Sequence, residues 1–62
     1  MSVYTVIWVF KNGHQWHRDF RSTEARQSFT DRCGLLTHPD IVSVVYRTDD
    51  ADEAQIKGTS VK

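Results

Sequence analysis

The chain has 62 residues, 39% of them hydrophobic and 26% charged, with eight basic and eight acidic side chains and a single cysteine. Zero net charge excludes the strongly basic balance of phosphate-dominated nucleic-acid binding, and one cysteine excludes an internal disulfide. A core of this size supplies only roughly 3–5 kcal/mol, so a metal or a second subunit is the support to look for.

The opening "MSVYTVIWVF" has no basic leader and no small-residue cleavage site, and it is too short to cross a bilayer. With one unpaired thiol, this predicts a cytoplasmic protein without membrane contact. Charge is spread unevenly. Residues 1–48 carry six Lys/Arg against four Asp/Glu, and residues 49–62 carry four acids against two lysines. That shift separates an expected single domain over 1–48 from a polar C-terminal tail over 49–62.

The first two elements are strands on either side of Asn12-Gly13, a pair suited to a type I′ turn of two residues. Such a turn sets Lys11 opposite His14, Val9 opposite Trp16 and Trp8 opposite His17. One face then holds Val3, Thr5, Ile7, Val9, Trp16, Arg18 and Phe20. The other holds Tyr4, Val6, Trp8, Phe10, Gln15, His17, Asp19 and Arg21. Trp16 and Phe20 are the apolar residues of the second strand, so the first set is expected to meet the core. A three-residue loop would slip the pairing by one and mix the sets.

A helix follows, capped by Ser22 or Thr23, with Glu24 at its positive end and Gly34 as its stop. Ala25, Phe29, Cys33 and Leu36 form its expected core stripe, and Arg26, Gln27, Thr30 and Asp31 its expected solvent face. Pro39 breaks the chain before the β-branched run Ile41–Thr48. There Val42, Val44 and Tyr46 should meet the helix, with Ser43 and Arg47 on the open side. Asp50–Lys57 reads either as a short helix ending at Gly58 or as a frayed tail.

The expected fold is therefore α+β: a ββαβ unit with a three-stranded antiparallel or mixed sheet of order 2-1-3 and one helix on one face. The first strand is apolar on both sides, and one helix covers only one. Tyr4, Val6, Trp8 and Phe10 thus become the expected interface, with His17 in the contact and Arg21 and Arg47 on its rim. This predicts a small non-catalytic regulatory protein, a homodimer through that face or one docked on a host or partner protein. The chain's size and lack of catalytic motifs are consistent with an accessory protein, including those of phages and mobile elements. The alternative is a single-stranded nucleic-acid binder that stacks bases on the same aromatics. His14, His17, Cys33 and His38 are metal-ligand types, but His14 and His17, three apart on a strand, point to opposite faces. No cofactor motif is present, and neither a Cys33–histidine pair nor Asp19 with Glu24 has the spacing of a catalytic site.

Overall fold

Asn12-Gly13 does close a hairpin, but through three residues. In the computed structural model, which describes residues 2–49 and 51–58, β1 (Tyr4–Phe10) and β2 (Gln15–Phe20) are joined by Lys11–Gly13. The Phe10 amide donates to the His14 carbonyl at 2.8 Å, and the Gly13 amide to the Phe10 carbonyl at 2.9 Å. Only Gly13 takes a positive φ, 92°, whereas a type I′ turn needs it at Asn12 as well. Asn12 instead accepts the His14 amide through Oδ1 at 2.9 Å. The turn thereby sets Tyr4 opposite Phe20, Val6 opposite Arg18 and Trp8 opposite Trp16.

That one-residue difference overturns the expected facing of β1. Paired residues share a face, so Tyr4, Val6, Trp8 and Phe10 join Phe20, and this is the side the helix covers. Val6 is fully buried, together with Leu35, Ile41, Val44 and Tyr46. Trp8, Phe10, Phe20, Phe29 and Leu36 pack around them. Phe29 joins helix to hairpin, with its ring centroid 5.6 Å from Trp8 and 5.3 Å from Phe20. The four residues expected to be open are therefore core or core-edge residues.

α1 (Thr23–Cys33) starts and stops as its sequence indicates. Ser22 accepts the Ala25 amide through Oγ at 3.1 Å, and Gly34 sits in the left-handed region at φ 65°. Its buried face is another correction. Arg26 and Thr30, expected in solvent, are the buried residues of the helix, while Ala25 and Cys33 are exposed. The Arg26 guanidinium lies 4.0 Å from the Tyr46 ring centroid and 5.5 Å from that of Tyr4. Nη1 donates to the Arg47 carbonyl and Nη2 to Glu53 Oε1, both at 3.1 Å. Thr30 donates to the Arg26 carbonyl at 2.9 Å, and its oxygen lies 3.1 Å from the Tyr46 hydroxyl. Partners from the sheet make these polar groups buriable.

β3 (Ile41–Thr48) runs antiparallel to β1, and a fourth strand, β4 (Ala51–Lys57), runs antiparallel to β3. The sheet order is β2-β1-β3-β4, so the expected 2-1-3 order holds and is extended by one strand. The region expected as a polar tail or short helix is thus part of the sheet, although positions 50 and 59–62 of that tail lie outside the described residues. Asp49, at φ 50°, starts the turn, and its amide and carboxylate bond to the Val3 carbonyl and amide. A bulge where Phe10 meets Ile41 turns Val42 outward, so Val44 and Tyr46 face the helix but Val42 does not.

β4 is held to the helix by Glu53. The Thr48 hydroxyl donates to its Oε1 at 2.6 Å, and this bond, then that of Arg26, holds the carboxyl below its ordinary value of 4.5. Folding lowers this pKa, so the unfolded chain takes up the proton first. The contribution is present above about 4.5 and is lost as the pH falls through the folded value. We expect the urea midpoint of the wild type to drop with acid below that point more steeply than that of Glu53→Gln. Parallel midpoints for the two proteins would remove Glu53 from the acid response.

Candidate interaction face

The side of the sheet away from the helix is uncovered among the described residues. Its composition follows from the register. Thr5 stands between Asp19 and Arg47, Ile7 between His17 and Val45, and Val9 between Gln15 and Ser43. Val45 in turn neighbours Gln55. Ile7, Val9 and Val45 therefore form an apolar centre on the two inner strands, each half-buried by its neighbours. Polar residues surround it on every side. The Thr5 hydroxyl donates to Asp19 Oδ1 at 2.8 Å, and Gln55 reaches Ser43 Oγ at 3.5 Å. An open depression of about 240 Å³ lies over Thr5, Ile7, His17 and Arg47.

The seven residues expected at the interface do not come together. Tyr4, Val6, Trp8 and Phe10 are on the helix side. Arg21 is exposed beside Val3 and Tyr4, at a depression of about 340 Å³ at the start of β1. His17 and Arg47 do meet on one face, the open one, with Ile7 between them. Sequence reasoning missed Ile7, Val9 and Val45. Val45 was signalled by Ser43 and Arg47, which flank it on the open side of β3, whereas nothing local signals Ile7 and Val9, because β1 is apolar on both sides.

Among the described residues, His17 is the ring that the open face carries, and Tyr4, Trp8 and Phe10 lie on the helix side. Among the described residues no three of His, Cys, Asp and Glu are grouped to hold a metal ion. His38 is engaged within the fold, with Nδ1 accepting the Asp40 amide at 3.0 Å, its carbonyl accepting Lys57 Nζ at 2.8 Å and its ring edge-on to Phe10. Among the described residues no helix is long and apolar enough to cross a membrane. No family model, curated protein or solved structure matches the chain.

Proposed function

We propose that this protein is a small non-catalytic binding protein that pairs with a second copy through the open face of its sheet and acts on its target by contact. The observation that carries this reading is the apolar centre Ile7, Val9 and Val45, ringed by Thr5, Gln15, His17, Asp19, Ser43 and Arg47. An apolar middle within a polar rim is how association surfaces are built. A twofold axis through the sheet would set Ile7 and Val45 of one copy on the same patch of the other. It would also give a 62-residue chain the additional burial that its own core lacks.

Sedimentation equilibrium over a concentration series tests this directly. The wild type should approach twice the chain mass. Val45→Glu should remain at the monomer mass with an unchanged circular dichroism spectrum, because an unpaired charge in such a contact costs several kcal/mol. A wild type that stays monomeric throughout the series would end the reading.

A further inference from the structure

The outer edge of β2 is a second surface, independent of the open face. β2 ends the sheet, and its residues Gln15 to Asp19 are all exposed. The Phe10–His14 bond sets the phase of the ladder, so the alternate residues Gln15, His17 and Asp19 turn their amides and carbonyls away from β1. Beside this edge, on the helix side, an open groove of about 500 Å³ separates β2 from α1. Phe20 and Phe29 line it, and Arg18 and Arg32 add two positive charges with no acidic residue among the lining. Arg18 lies over the Phe29 ring at 5.4 Å, and neither arginine meets a carboxylate among the described residues. One pairing step along the strand, Trp16 stands 56% exposed on the same side.

We infer that this edge and groove bind an extended acidic segment of a partner protein, added to the sheet as a strand beside β2. The backbone of Gln15, His17 and Asp19 supplies the hydrogen bonds, as in other strand additions. Alternate side chains of the segment fall on the helix side, in line with Trp16, Arg18 and Phe20. That order calls for an apolar residue, an acidic one and a second apolar one at every other position. The acid meets Arg18 and Arg32, and the apolar residues meet Trp16 and the Phe20–Phe29 pair. Charge selects this occupant over a second copy, which would bring the same two arginines to the seam. Asp19, on the opposite side of β2, disfavours acids at the intervening positions, so those are neutral.

The test uses two labelled heptapeptides, Thr-Val-Thr-Glu-Thr-Val-Thr and the same peptide with Lys in place of Glu, against the full chain at low salt. Fluorescence anisotropy should show the Glu peptide binding about tenfold more tightly, the scale of two partly exposed ion pairs. Amide exchange at Gln15, His17 and Asp19 should slow with the Glu peptide bound. Arg18→Glu, an exposed edge substitution that leaves the fold intact, should reverse the preference, and Arg32→Glu should weaken it. Equal affinity for the two peptides would overturn the inference, as would protection along β4 instead of β2. Slowed exchange at β2 that rises with protein concentration without peptide would also overturn it, by making a second copy the occupant.

Discussion

Val6→Asp is expected to leave the chain unfolded at neutral pH, whereas Ile7→Asp, one residue further along the same strand, leaves it folded. Val6 has no accessible surface and is packed among Leu35, Ile41, Val44 and Tyr46. An aspartate there must either carry an unpaired charge into the core or take up a proton at a large energetic cost. Either costs several kcal/mol. The whole domain has roughly 3–5 kcal/mol to lose. Ile7 points the other way, into the open depression beside His17, Thr5 and Arg47, where a carboxylate remains hydrated. Far-ultraviolet circular dichroism and the dispersion of amide resonances distinguish the outcomes. If Ile7→Asp unfolds and Val6→Asp does not, the hairpin has a two-residue turn and the faces are those of the type I′ register. Ile7→Asp should in addition abolish the self-association proposed for the open face.

The second large effect is expected at Arg26. Arg26→Ala should lower the unfolding free energy by about 3 kcal/mol, because it removes the packing of the buried stem against Tyr46 and Tyr4 as well as the polar contacts of the guanidinium. Its guanidinium ties α1, β3 and β4 together, through the Tyr46 ring, the Arg47 carbonyl and Glu53. Arg26 Nε, however, is buried without a hydrogen-bond partner, so part of the gain is offset by incomplete satisfaction. Arg26→Met keeps the length of the side chain against Tyr46 and Tyr4 and leaves Glu53 free to hydrate. It should therefore cost markedly less than the alanine variant. Urea unfolding of the three proteins gives the comparison. A methionine variant as unstable as the alanine one would make the charge, rather than the packing, the larger contribution.

How much of this was legible from the residues differs element by element. Ser22 and Gly34 bracket the helix because side-chain capping and a left-handed stop are local chemistry, complete within a few residues. The run Ile41–Thr48 is a strand because its β-branched residues suit nothing else as well, and the 2-1-3 order follows from the handedness of the crossover. β4 was not legible. Ala51 to Lys57 has little apolar periodicity, and what makes it a strand is the free edge of β3 together with the bonds from Thr48 and Arg26 to Glu53.

The face of the sheet was undecidable for a different reason. β1 alternates between two apolar sets, Tyr4-Val6-Trp8-Phe10 and Thr5-Ile7-Val9, so its periodicity cannot say which set is buried. The turn sets the facing, and although Asn-Gly favours a two-residue loop, Gly13 also suits the left-handed position of a three-residue one. The wider aromatic set buries more apolar area under Phe29, and the packed core selects that register. Likewise, Arg26 and Thr30 read as solvent residues until Tyr46, the Arg47 carbonyl and Glu53 stand around them. By itself the sequence determined the elements whose causes are local: the hairpin, the helix with both caps, the third strand and their order. The tertiary structure alone decided which side of β1 is core, which side of the helix is buried and that the acidic end becomes a strand, because the first two depend on partners distant in the chain and the third on the free edge of β3 and on Arg26.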